Sequence, residues 1–426
     1  MTSSLRTASL TRRGFLGLSG GVAAMGALAA CGGTSGSGGG AGTLQLVGVA
    51  DQQKALEPLV KAYTKSEFNT SFAPTDQVQT SVRTRLGAGN APDVHVVFPG
   101  NGSAMSMVQI SQAGLLADLS DQAWAERIPA TLKPAFQNDG KTYVYSAGSS
   151  VIGAVYNKKV FEDAGVEPPA TWSEFLDVCE KIKAKGKIPI ALGAQTPWVT
   201  QLITYALVPS TVYAKNPRFD EQMKAGSAGF AGSGWAQAFE MYLELQKRGF
   251  FNDNPNGTTF EQQTAMVATG EAAMAIQVSA VLPDFRKQAA GPDALGMFPV
   301  PGADEEKECW IPAGVVVGLG VSARGKNLDE AKAFIEFLGE QKNMNAWAEA
   351  VACVPLTRDA TSRVDPALES FLPFVDGGKA VPFMDQAWPN AEVQPAHFAA
   401  VQELLGGRTT VPEALAKLDE TYRKKS

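Results

Sequence analysis

At 426 residues the chain is long enough for two or three domains. Its 45% apolar and 19% charged residues describe an ordinary globular protein and exclude wholesale disorder or a many-spanned membrane protein. The net charge is −6, and residues 1–30 hold three arginines and no acid, so the remainder is more acidic still; such a surface does little to neutralise phosphates and argues against a nucleic-acid partner.

The chain opens with Arg12-Arg13-Gly14-Phe15-Leu16, after which an apolar segment runs uncharged to Ala30. This reads as an export signal over residues 1–30, too short and too rich in glycine for a permanent membrane span. The arginine pair resembles the twin-arginine signal, and Leu28-Ala29-Ala30-Cys31 resembles a bacterial lipobox, in which the cysteine is acylated after cleavage. Residues 31–42, rich in Gly and Ser, then form a flexible tether. The expected mature protein sits outside the cytoplasm, on the outer face of the cell membrane, held only by lipid on Cys31.

From Thr43 the pattern becomes that of folded structure. Leu44–Val49 reads as a strand, and Leu56, Leu59, Val60 and Tyr63 follow at helical spacing. Asp93–Phe98 is a short apolar run of buried-strand type, ended by Pro99-Gly100; His95 inside it reads as a core residue. Capping boxes open helices at Thr171/Glu174 and Thr410/Glu413, and Asn327 with Glu330 suggests a third start. Apolar runs at Val151–Tyr156, Ile188–Leu192, Ala272–Ile276 and Val315–Val321 alternate with helical segments. This alternation predicts an α/β fold of lobes built on largely parallel sheets. Cys179 lies on the apolar stripe of its helix and reads as a buried thiol, while Cys309 and Cys353 are a candidate disulfide in an oxidising exterior.

The sequence offers little for catalysis. There is no phosphate-binding Gly-rich loop with its Lys-Ser/Thr and no Gly-x-Ser-x-Gly elbow. The only histidines, His95 and His397, have no flanking ligands at metal-binding spacing, so no metal and no cofactor are expected. Asn252–Gly257 has Asn where a calcium loop begins with Asp and reads as a polar turn. A glycosidase needs only two carboxylates and stays open as the enzymatic alternative.

A positive signal comes from five segments in order: Gly89-Asn90-Ala91-Pro92-Asp93-Val94, Gly114–Leu119, Val155–Phe161 with Ala164–Phe175, Gly270–Met274, and Arg408–Leu415. Behind a lipoprotein-type signal, they resemble family 1 of the extracellular solute-binding proteins, substrate-binding lipoproteins of ABC importers, on its carbohydrate branch. The resemblance departs at Ala147–Ser150, where many relatives carry Pro or an acidic residue. It implies a periplasmic-binding-protein-like fold of two α/β lobes around a ligand cleft, residues 43–148 and 310–353 forming one lobe and 149–309 and 354–426 the other. It implies a non-enzyme that captures sugar by closure and delivers it to membrane permease subunits, with a sensor in place of the permease as an alternative; a monomer is expected.

Ligands of open α/β sheets sit outside the carboxyl ends of strands, which places Asp51, Gln52, Gly100 and Asn101 in the cleft. The resemblance adds Trp198 as the aromatic plate, with Gln195 from the same segment, and also Gln277, Gly314 and Ser150. Trp388 is carried as a rim aromatic with lobe packing as its alternative, and Trp310 reads as packing.

Overall fold

The computed structural model describes residues 42–102, 105–291 and 293–424. The signal segment, Cys31 and the tether before Gly42 lie outside the described residues.

Two sheets organise the chain. In the first, Leu44–Val49 lies between the parallel strands Phe68–Ala73 and Val94–Val97, and Gly318–Val321 closes the far edge antiparallel to Val94–Val97. Strand periodicity sends alternate side chains to opposite faces. Leu44 and Leu46 pack with Leu56, Trp124, Tyr145, Phe334 and Trp347, whereas Val47 and Val49 pack with Val82, Val96 and Met107. Both faces are covered, as an α/β sheet requires. Gly318 must lack a side chain, because a methyl group there would overlap the Tyr145 carbonyl.

The second sheet is built around the ten-residue strand Gly148–Asn157, almost wholly buried. Ala272–Val278, Leu295–Phe298 and Ile311–Gly314 all pair with it antiparallel; parallel pairing is confined, among the described residues, to Ile188–Ile190 with Ala272–Val278, Ile311–Gly314 with Ala380–Val381, and a single bridge from Ile190 to Phe251. The expectation of largely parallel sheets therefore holds for the first sheet and fails for the second. The physical reason is the direction of entry: Gly148–Asn157 leaves the first sheet and runs outward, so its antiparallel neighbours run back toward the crossing. Pro189, which has no N–H to donate, lies on the edge strand of this sheet.

Three segments cross between the sheets. Tyr145 bridges to Leu319 in the first, and Gly148 pairs with Pro355 in the second. Val315–Val317 joins Ile311–Gly314 of the second sheet to Gly318–Val321 of the first. The third crossing ends at Leu356, whose N–H bonds to the Ala147 carbonyl at 2.8 Å. Ile311–Gly314 thus stays with the second sheet, although residue 310 was expected to open the return to the first lobe.

The capping boxes at Thr171 and Thr410 both form. The helix Leu328–Leu338 begins beside Asn327, but that side chain does not cap it, turning instead to Thr43 O and Asp93 Oδ2. His95 is fully buried, its Nδ1 against Val96 O, and burial holds its pKa down at about 4. Cys179 is a buried free thiol. The Cys309–Cys353 disulfide is not formed, because the two thiols have different surroundings. Cys309 Sγ faces the Ala170 and Ala303 carbonyls, and Cys353 lies beside Gly148 at a crossing, its thiol pushed up to about 12 by burial. Among the described residues, no helix is long and apolar enough to cross a membrane.

Candidate functional site

Asp51 and Gln52 lie in the single turn Ala50–Gln52 between Leu44–Val49 and the helix Gln53–Ala62. Gln52 is buried; its Nε2 donates to the crossing carbonyl Val317 O at 3.5 Å and its Oε1 has no partner. Asp51 makes no capping bond and stays exposed. Although its surface is open to solvent, the protein crowded around it desolvates its carboxyl and pushes the pKa up, the Asp284 carboxylate pushes it further, and Lys287 opposes both. Asp284 and Lys287 form a 2.5 Å pair on the helix Leu282–Gln288, which follows the carboxyl end of Ala272–Val278 in the second sheet. Asp51 therefore feels charges carried by the other lobe.

The helix that faces Asp51 is fixed from behind. Phe285 is fully buried, and Arg286 forks onto Asp365 with contacts of 2.5 and 2.8 Å. Phe285 also meets the edge of Phe260 at 6.2 Å, and Phe260 carries the ring of Trp198 at 5.1 Å. Trp198, in the turn Pro197–Val199, is half-buried, with Gln195 exposed in the same loop. An aromatic row thus connects Trp198 to the helix opposite Asp51.

The other candidates separate into those held within the second lobe and those that touch across. Gln277 is fully buried, donating to Gln263 Oε1 at 2.8 Å, while Gln263 in turn donates to Ala191 O at 2.8 Å. Its Nε2 is committed to this internal chain, while its buried Oε1 has no partner. Ser150 and Gly314 pair with each other across two strands. A methyl on Gly314 would press on Phe383 at 3.0 Å, so packing accounts for this glycine without a ligand. Trp388 is corrected from rim to interior: it is 3% exposed and stands among Tyr205, Phe230, Trp235 and His397 with ring centroids 5.8–6.3 Å away.

Gly100 and Asn101, after Val94–Val97, are engaged by protein. Asn101 donates its N–H to Gln386 O at 3.1 Å and its Nδ2 to Pro389 O at 2.8 Å. The segment they meet carries Trp388, which the sequence offered, together with Asp385 and Gln386, which it did not. Burial pushes the Asp385 carboxyl up to about 6. The buried Tyr205 hydroxyl favours its ionised form without forming a close hydrogen bond. Asp284 and Lys287 were also missed, although the strand-end rule that selected Asp51 and Gln52 extends to the helix after Ala272–Val278. No such rule reaches 383–389, which follows a two-residue strand and has no periodicity. Among the described residues no group of three or more His, Cys, Asp or Glu is placed to hold a metal ion.

The candidate site thus brings Asp51, beside Gln52 on one lobe, within electrostatic reach of the helix Leu282–Gln288 on the other, with Trp198 joined to that helix through Phe260 and Phe285. That set suits a neutral, hydroxyl-rich solute. The family model of the bacterial extracellular solute-binding proteins matches residues 48–345. A multiple sugar-binding protein of Streptococcus mutans is 24% identical over 349 residues, covering 79% of this chain and 80% of that protein. The diacetylchitobiose binding protein DasA of Streptomyces coelicolor is 27% identical over 367 residues, covering 81% and 79%. The solved structure of a chitin oligosaccharide binding protein superimposes with a TM-score of 0.77 at 24% identity, over 90% of this chain and 98% of that one.

Proposed function

Because this chain belongs to the bacterial extracellular solute-binding protein family, we propose that its interlobe cleft captures a carbohydrate by closure and presents it to the permease subunits of an ABC importer. What supports this reading is the electrostatic influence of Asp284 and Lys287, on the helix Leu282–Gln288 of the lobe that bears Trp198, on Asp51 beside Gln52. Hydroxyls need carboxylates and amides, and an apolar sugar face needs an aromatic ring. Relatives whose names specify sugars support the ligand class. The protein binds its sugar and releases it unchanged, acting as a monomer. The lipid anchor on Cys31 and export by a twin-arginine signal rest on the sequence motifs alone, and they place the cleft at the outer face of the membrane.

Thermal unfolding against a panel of mono-, oligo- and amino-sugars tests the reading. A ligand bound only by the native state stabilises by about 2.7 kcal/mol at a hundredfold excess over Kd. At least one sugar should raise the melting temperature by several degrees and be recovered intact. A panel in which no sugar shifts melting, or a sugar recovered cleaved, overturns it.

A further inference from the structure

Besides the three crossings, the lobes meet where the loop after Val94–Val97 reaches the segment 383–389, and this junction is built from both sides. On the second lobe, Trp388 and Met384 are buried, at 3% and 1% exposure, and root the segment in the core. Gln386 Nε2 donates to the crossing carbonyl Val315 O at 2.6 Å. Toward the first lobe, Asn101 makes its two bonds to Gln386 O and Pro389 O.

The loop is shaped for this approach. A methyl group on Gly102 would overlap Asp385 O, and one on Gly100 would overlap the backbone of Gln386. Gly100 has φ +68°, and Met105, a buried non-glycine residue, has φ 64°. Left-handed backbone in a residue with a side chain stores strain that surrounding contacts must hold. Gln109 Nε2 steadies the loop by donating to Asn101 O at 3.2 Å. None of these contacts involves the Asp51 or Trp198 side of the cleft.

We propose that Gly100-Asn101-Gly102 and residues 383–389 form a latch that holds the lobes together before a ligand arrives, released when they part. The inference rests on the reading that the lobes open and close, and it adds a second determinant of the closed population beside the ligand itself. Two net hydrogen bonds bias such an equilibrium roughly tenfold or more toward the latched form. A ligand then has that much less closing to drive, while access to the cleft is slowed by the same contacts.

The experiment uses sugar-free protein, so its outcome does not depend on any sugar binding. Gly102→Ala places a methyl group where it collides with Asp385 O in the latched state, and Asn101→Ala removes the bond to Pro389 at a partly exposed position. Small-angle scattering should show a larger radius of gyration for both variants than for the parent. Hydrogen exchange should show segments 98–102 and 383–389 losing protection together, by tenfold or more, while Leu44–Val49 and Ala272–Val278 stay protected. Variants with the parent's radius and exchange would overturn the latch. So would accelerated exchange in both sheet cores, which would make Gly102 merely structural.

Discussion

Trp198 and Trp388 are chemically the same residue in opposite settings. Trp198 leans on Phe260 and is only half-buried, whereas Trp388 is enclosed by four rings, so the sequence, which shows neither setting, offered both as site aromatics. Stacking a sugar on about 80 Å² of the Trp198 ring at ~25 cal/mol/Å² is worth roughly 2 kcal/mol, about thirtyfold in affinity. Trp198→Ala should therefore weaken sugar binding at least tenfold with a modest loss of stability. Trp388→Ala should do the reverse, at the ~3–5 kcal/mol of a core aromatic. Urea unfolding and titration calorimetry on both variants check this, and equal stability losses would remove Trp198 from the site. Asp385 carries a pH prediction. Its folded pKa of about 6 stands above the ordinary 3.8, so the folded state prefers the protonated acid. No penalty exists below pH 3.8; it grows as pH rises toward 6 and is complete above, at about 3 kcal/mol for a displacement of about two units. Asp385→Asn should gain most in stability over the parent at pH 8 and little at pH 4. A gain of the same size at both would show that the carboxylate is not responsible.

The helix Leu282–Gln288 shows why elements were easier to foresee than their use. Its seven residues are too few to be stable alone, so tertiary contacts hold it. Phe285 fills the core behind it and Arg286 forks onto Asp365, whose carboxyl stays below its usual range because that fork and the Ala367 N–H outweigh its burial. Local signals were legible: Thr171/Glu174 and Thr410/Glu413 announced their helices, since a capping box lies within one turn. The Arg286–Asp365 fork joins residues 79 apart, and no local pattern marks it. Arg286→Met should lower stability by about 2 kcal/mol, less than the ~3–5 of a fully buried pair because the Arg286 side chain is 25% exposed and that of Asp365 11%. The same change loosens the helix whose Asp284 and Lys287 charges reach Asp51, so sugar affinity should fall with it. A double-mutant cycle with Asp365→Leu measures the coupling; strict additivity would mean that the fork does not position the helix.

At the scale of the whole molecule, the sequence made the two α/β lobes and the buried strands legible because each apolar run is continuous along the chain. Asp51 and Gln52 could be placed from the strand before them, since the end of a strand is a local feature. Strand direction in the second sheet, and the meeting of residues 100–102 with 383–389, depend on where the chain crosses between lobes, which neighbouring residues do not encode. Those crossings also define the last prediction. A ligand that touches Asp51 on one lobe and Trp198 on the other gains both sets of contacts only when the lobes are together, so its differential affinity is what closes them. Moving an equilibrium from 1:99 to 99:1 takes about 5.5 kcal/mol of such difference, and less where a latch already favours closure. Any sugar that raises the melting temperature should therefore reduce the radius of gyration, most of all in Gly102→Ala, where the latch no longer contributes. Trp198→Ala should reach the same compact end point, but only at a sugar concentration at least ten times higher, because it loses affinity without losing the closed form. Scattering curves recorded along a sugar titration of the three proteins read both quantities at once. A sugar that saturates Gly102→Ala without compacting it would separate binding from closure and leave the cleft as a rigid site.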